Sequence, residues 1–369
     1  MMAEKNELRQ LFRLFLRLGL TAFGGPAAHI AMMQREVVDR RGWMDHEQFL
    51  DLIGATNLIP GPNSTEMAIH IGQERGGWKG LLIAGVCFIC PAVVITGIIA
   101  WLYQLYGRLP QVAAFIFGIK PAIIAVILAA ALPLARRALK GVLLWVVALL
   151  ALAAGLLGVN EIYVMFGAGL LVLVLTASSR RDGVVKGFFP LVLQVVVSNT
   201  RIFFSFLKVG AILYGSGYVL FAFLDSELVA KGLLSRKVLI DAIAVGQFTP
   251  GPVFSSVTFI GWQMGGWKSA ALATLAIFLP SFVFVALSHP LIPRMRRSRL
   301  FSAFLDGVNA ASVAIILTVC VDFGRATITD WRAVVIALLS GVVVFGLPKV
   351  NSAFVILGGS VLGYLLLRL

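Results

Sequence analysis

Two short tracts carry the residues best suited to chemistry. Pro60-Gly61-Pro62 is followed by Asn63, Ser64 and Thr65, and Pro250-Gly251-Pro252 is followed by Ser255 and Ser256. Pro-Gly-Pro cannot continue a helix, because proline lacks an amide donor and pushes the preceding residue out of the helical region. A proline at the first helical position then starts a new helix well. Free amides and hydroxyls at such a start, helped by the positive end of the helix dipole, make an anion site. The same residues could instead kink a helix and cap it. Asn57 and Gln247 each stand three residues before their Pro-Gly-Pro, with Thr249 directly before the second. Neutral amides there could donate to an anion or close the broken backbone.

A glycine-rich tract, Phe23-Gly24-Gly25-Pro26-Ala27-Ala28-His29, precedes the first motif, and its glycines permit a sharp turn or close backbone approach. His29 and Glu36 are titratable and could carry protons. His29 could equally be a polar residue packed between helices. Glu66 and His70 stand four apart, on one face of a helix, as a proton relay or half of a metal site. One carboxylate and one histidine are too few ligands to assign a metal. Asp51 and Asp241 read either as buried functional groups or as helix-end residues. The sequence holds no serine–histidine–acid set, phosphate loop or dinucleotide fingerprint. No catalytic residue, metal or cofactor is therefore expected, and the chain does not read as an enzyme.

The elements that must position these residues are membrane helices. Of 369 residues, 59% are apolar and 13% charged, whereas a soluble domain carries about 25% charged residues. The net charge of +14 sits in short basic clusters between apolar runs, where it sets orientation in a bilayer rather than binding nucleic acid. Cys87, Cys90 and Cys320 all lie within apolar segments and read as small embedded residues. About 20 apolar residues cross a bilayer as a helix. Candidates are Gly80–Tyr103, Gln111–Ala135, Gly141–Gly158 and Asn160–Ala177, then Ser269–Pro290, Phe301–Val321, Ala333–Leu347 and Asn351–Leu367. Leu11–Phe23 reads as an amphipathic or partly inserted helix that is retained. The stretches before each set, Leu11–Gly72 and Phe203–Gly261, are broken by Gly, Pro and polar residues. Broken backbone survives at membrane depth only where protein or a water-filled cavity satisfies it.

The chain repeats itself. Pro60-Gly61-Pro62 recurs 190 residues later, and Gly76-Gly77-Trp78-Lys79 recurs as Gly265-Gly266-Trp267-Lys268. Asp51 matches Asp241, Glu36 matches Glu227, Pro91 matches Pro280 and Gly118 matches Gly307. The Trp-Lys pairs read as anchors at the headgroup layer. Two copies of one unit are expected, 1–180 and 202–369, joined by a linker over 181–201. Their loop charges are opposed. Arg136, Arg137 and Lys140 follow Gln111–Ala135, while only Arg108 precedes it. In the second copy Arg294, Arg296, Arg297 and Arg299 fill the loop equivalent to the weak one, while Asp322, Arg325, Asp330 and Arg332 cancel in the other. Lys and Arg favour the cytoplasm, which also suits Arg180, Arg181 and Lys186, so equivalent loops lie on opposite sides. The expected fold is an all-α polytopic membrane protein of two inverted-topology repeats, with broken helices at the Pro-Gly-Pro motifs.

These motifs together, with Gly72 and Gly77-Trp78 in the first half and Tyr214-Gly215-Ser216-Gly217, Gln247-Phe248-Thr249 and Gly265-Gly266-Trp267 in the second, resemble the chromate ion transporter family in its fused two-domain form. The resemblance covers nearly the whole chain. It implies a multi-pass protein of a prokaryotic plasma membrane that expels chromate from the cytoplasm, driven by the proton gradient. The second half departs from the pattern, since Leu220 replaces the histidine and Ser216-Gly217 replaces Gly-Pro, which implies specialised halves. The expected substrate is a tetrahedral dianion held by Asn57, Asn63, Gln247, Thr249, Gly24, Gly25, the two Pro-Gly-Pro tracts and the hydroxyls Ser64, Thr65, Ser255 and Ser256, with His29, Glu36 and Glu66 coupling protons. Partners are chromate, with sulfate as its structural mimic, protons, the bilayer and a second copy as a homodimer. The alternatives are a sulfate or other oxyanion carrier and, from another class, an intramembrane enzyme or an assembly scaffold.

Overall fold

The computed structural model describes residues 2–23, 25–107, 109–178, 199–214, 217–288, 298–347 and 350–368. Gly24, Arg108, Arg180, Arg181, Lys186, Gly215, Ser216, Arg294, Arg296, Arg297 and most of the expected linker lie outside them.

In the first half, α1 (Met2–Thr21) is followed by α2 (Gly25–Gln34), which runs into a π turn at Arg35–Arg40. Then come α3 (His46–Thr56), α4 (Asn63–Tyr106), α5 (Pro110–Ala138), α6 (Val142–Leu156) and α7 (Glu161–Ser178). The second half repeats this series. It contains α8 (Asn199–Ile212), α9 (Val219–Leu224) with a π turn at Asp225–Val229, and α10 (Arg236–Phe248). A 3₁₀ turn at Val253–Ser255 leads into α11 (Ser256–Ser288), followed by α12 (Arg299–Thr327), α13 (Trp331–Gly346) and α14 (Ser352–Leu366).

α4 is not one rod. Gly76 and Gly77 leave the helical region, with Gly77 at φ 57° and ψ −150°, so residues 63–75 (α4a) fold back onto residues 78–106 (α4b). A Cβ placed on Gly72 would lie 2.3 Å from the Gly80 carbonyl oxygen, whereas a straight helix would separate those residues by about 12 Å. Gly265 and Gly266 fold residues 256–264 (α11a) onto residues 267–288 (α11b) in the same way. There the hydroxyls of Thr258 and Thr274 lie 2.7 Å apart. Trp78 and Trp267, just past the two turns, are exposed, as headgroup anchors should be.

α3 and α4a form a second hairpin whose tip is Pro60-Gly61-Pro62. At the tip Asn63 Nδ2 donates to Asn57 Oδ1 at 2.8 Å. At the open end Gln48 and Asp51 of α3 share a cleft of about 430 Å³ with Glu74 and Arg75 of α4a. α4a rises only about 20 Å, so the motif reaches part of the way across a bilayer of about 30 Å. The prolines do not start the new helices from inside. Pro62 and Pro252 are extended residues immediately before α4 and before the 3₁₀ turn.

The two halves are antiparallel and interlocked. Trp262 Nε1 donates to Gln104 Oε1 at 2.9 Å and Gln263 Nε2 to the Ala100 carbonyl at 3.0 Å, so the second fold-back lies at the far end of α4b. Conversely, Gly85 near the start of α4b packs on Phe282 near the end of α11b. α1 packs on α4, α8 on α11, and α4 on α11. α5 is held by α13 and α14 of the other half, and α12 by α6 and α7. Packing between apolar helices in hydrocarbon relies on close approach of small residues. Gly118 of α5 is such a contact, since a Cβ there would lie 2.0 Å from the Gly359 carbonyl oxygen of α14.

Four helices among the described residues are long and apolar enough to span a membrane, and they contain the expected spans at Gly80–Tyr103, Gln111–Ala135, Ser269–Pro290 (its last two residues lie outside) and Phe301–Val321. The other four expected spans form helices α6, α7, α13 and α14 of only 15, 18, 16 and 15 residues. Their rise of about 22–27 Å lies at or a little below the roughly 30 Å hydrocarbon core, and α7 falls within the usual range for a span. Their ends lie within two residues of the expected bounds.

Candidate functional site

Four breaks in the backbone meet where the halves interlock. They are the turn after α1, the first Pro-Gly-Pro, the turn after α8 and the second Pro-Gly-Pro. Gly61 N–H donates to the Leu213 carbonyl at 2.8 Å, and Gly251 N–H donates to the Ala22 carbonyl at 2.9 Å. Each Pro-Gly-Pro is thus tied to the glycine break of the opposite repeat. Both glycines have positive φ, 143° for Gly61 and 91° for Gly251. Their amides, like those of Thr65, Glu66 and Ser255, which bond back to the Pro62 and Pro252 carbonyls, are already engaged. The amides still without an intrahelical acceptor are those of the first helical residues, Asn63 and Ser64.

Around these breaks the buried polar groups gather. His29 Nδ1 lies 3.3 Å from Ser64 Oγ, its ring edge-on to Phe88, while Nε2 is buried without a partner. Thr65 Oγ1 is buried and unpartnered. Its counterpart Ser255 accepts from Thr96 of α4b at 3.4 Å. The difference follows from Val285 standing where Thr96 stands in the other repeat. Ser256 Oγ and Gln247 Nε2 are also buried and unpartnered. Tyr218 OH reaches Gln247 Oε1 at 3.5 Å and lies 3.3 Å from where a Cβ on Gly25 would stand, so it bridges two breaks. Glu66 is fully buried, and Oε1 fills the space of a Gly61 side chain, 2.1 Å from that hypothetical Cβ.

Three expected ligands are otherwise occupied. Asn63 donates to Asn57 at the tip. Asn57 is exposed and donates to the Ile53 carbonyl at 2.9 Å, closing the end of α3. Thr249 Oγ1 donates to the Val245 carbonyl at 2.6 Å. Pro60, Pro62, Pro250 and Pro252 shape the tips without offering donors. Gly24 lies outside the described residues. No group of three or more metal-ligating side chains occurs among the described residues. Sequence reasoning missed Thr96, Ser281 and Tyr218, although polar residues inside apolar spans are a usable signal.

The sequence profile described as chromate transporter matches residues 9–173 and again 200–364. The chain belongs to the chromate transporter family. Curated relatives include the chromate transport protein of Cupriavidus metallidurans, 29% identical over 96% of this chain and 92% of the relative. The probable chromate transport protein of Synechococcus elongatus is 29% identical over 90% and 88%, and the chromate transport protein of Pseudomonas aeruginosa 30% over 86% and 81%. No solved structure matches the chain.

In this member of the family, Glu36 is clasped by Arg17 at 2.6 Å, Arg40 at 2.8 Å and Arg41 at 3.4 Å. Burial alone would raise its carboxyl, but hydrogen bonds and charge from Arg17 and Arg40 outweigh it and hold the group below its ordinary range. Glu227, its counterpart, is clasped by Lys208 and Lys231 with the same net direction, against the same upward push of burial. This paired geometry suits a fixed ion-pair clasp between α1 or α8 and the following π turn. A second polar cluster is confined to one side. Asp241 of α10 pairs with Lys120 of α5 at 3.0 Å and accepts from Tyr103 OH at 2.6 Å. Lys120 is a lone cation inside an apolar span, which the sequence could have flagged.

Proposed function

We propose that the protein exports chromate from the cytoplasm across the plasma membrane of a prokaryote in a proton-coupled cycle. The observation that carries this reading is the reciprocal joining of the Pro-Gly-Pro tips to the opposite glycine breaks. Ser64, Thr65, Gln247, Ser255 and Ser256 flank those joins, and Thr65 Oγ1, Gln247 Nε2 and Ser256 Oγ are buried without a protein partner, which supports the reading. Inverted repeats with discontinuous helices at the midplane are a common way to build an alternating-access site. A tetrahedral dianion fits hydroxyl and amide donors at helix starts. Family membership and the names of the relatives support chromate as the cargo, with sulfate as a competitor of the same geometry. His29, bonded to Ser64, and Glu66 are the coupling groups in this reading, and Glu36 serves the clasp. Under the charge assignment of the loops, the first hairpin enters from the cytoplasmic side.

Inverted vesicles loaded by radiolabelled chromate test the reading. Saturable uptake, inhibited by excess sulfate and reduced by an uncoupler, is expected. Absence of saturable uptake would refute it.

A further inference from the structure

Glu66 is a titratable carboxyl placed inside the proposed anion cradle. Its carboxylate lies in the first turn of α4a, against Gly61 at the tip of the first Pro-Gly-Pro. The groups facing it are Ser281 from α11b, Tyr214 from the segment after α8, and His70 one turn further along its own helix, while His29 of α2 approaches through Ser64. Ser281 lies beside the carboxylate in a geometry that leaves both oxygens without a hydrogen-bond partner. No lysine or arginine among the described residues pairs with Glu66, in contrast to the clasped Glu36 and Glu227. The second repeat has no equivalent. Ser256 stands at the place of Glu66, Ile260 at that of His70, Phe254 at that of Ser64 and Leu220 at that of His29. Every side chain at the tips that could titrate near neutrality therefore belongs to the first repeat, and the second offers only neutral donors.

A dianion entering this space meets the carboxylate at short range in a medium of low dielectric, where like charges repel strongly. We infer that Glu66 is an internal competitor for the cradle: the dianion is held, chiefly by the neutral donors of the second repeat, only while Glu66 carries a proton. The inference rests on the anion-transport reading above and fixes the sense of its coupling. Proton and anion share the carrier, and by linkage each strengthens the binding of the other. One net negative charge then crosses per cycle instead of two. An inside-negative membrane drives that charge outward, so the electrical part of the proton gradient powers export.

Calorimetric titration of purified protein with chromate, across the alkaline range in which chromate stays a dianion, tests the inference. Wild-type affinity should weaken by up to about tenfold for each unit rise in pH, the limit for one linked proton. Glu66→Gln should bind at the tight limit with no pH dependence. In weakly buffered solution wild-type protein should take up close to one proton for each chromate bound, a measurement that needs no variant and stands if Glu66→Gln fails to fold. A flat wild-type affinity without proton uptake, or a wild-type slope retained in Glu66→Gln, overturns the inference and leaves anion transport standing. No chromate binding at any pH overturns the transport reading, and this one with it.

Discussion

The backbone N–H of Gly251 donates to the carbonyl of Ala22 at 2.9 Å, tying the second Pro-Gly-Pro to the break after α1. With its mirror, Gly61 to Leu213, it makes each half's tip depend on the other half. A mobile tip would expose unpaired backbone in the membrane, where each such group costs several kcal/mol. The two bonds close those breaks by satisfying the amides of Gly61 and Gly251.

The glycines at these bonds should be intolerant of any side chain. Gly251→Ala puts a Cβ 2.9 Å from Ala92 Cβ at φ 91°, and Gly61→Ala puts one onto the Glu66 carboxylate at φ 143°. Backbone strain of this kind costs about 1–3 kcal/mol before any clash is counted. Thermal unfolding in detergent should show a clear drop in Tm for both. An unchanged Tm for both would mean that the tips are not held tightly by these bonds.

The hydroxyls should matter to affinity more than to folding. On the reading proposed above, Thr65→Val and Ser255→Ala should each remove a bond to a charged ligand worth roughly 1.5–3 kcal/mol, or on the order of 10-fold to 100-fold in Kd. On that reading both groups serve one ligand, so the double mutant should be non-additive. Thr65→Asp should abolish chromate binding. Near-native affinity in all three would assign the tips a structural role only.

The clasp on Glu36 should show in acid. Its folded carboxyl is depressed, so the stabilisation is present above the unfolded value and is lost as pH falls through the folded one, below the ordinary carboxylate range. Glu36→Gln should therefore flatten the acid limb of the stability profile while lowering stability at neutral pH. An acid limb identical to that of the wild type would remove Glu36 from that role.

Breaking the cross-half pair of Lys120 and Asp241 should be costly from either side. Lys120→Met leaves a buried carboxylate, and loss of one partner of a buried pair typically costs about 3–5 kcal/mol. Combining Lys120→Met with Asp241→Asn should restore most of that stability. If the double variant is no more stable than Lys120→Met alone, the pair is not the source of the loss.

Membrane sidedness is open to a direct check. A reporter fused after Lys140 should be cytoplasmic and one near Arg325 external. Both reporting the same side would contradict the antiparallel halves.

The all-helical class, the twofold repeat and the family were legible in the chain itself, because apolar runs, proline and glycine breaks and recurring anchors are local properties. Opposed loop charges gave even the inverted relation of the halves. The fold-backs at Gly76-Gly77 and Gly265-Gly266 were not legible. The same glycines fit a kink as well as a reversal, and only contacts such as Gly72 with Gly80 distinguish them. Sequence spacing likewise made Thr65 and Ser255 equivalent and Asn57 and Gln247 equivalent. Tertiary packing decided that Asn57 closes its own helix, that Gln247 keeps a free amide nitrogen, and that Ser255 finds Thr96 while Thr65 meets no partner. Each of those outcomes depends on which residue of a distant helix arrives opposite, and a one-dimensional pattern carries no such information.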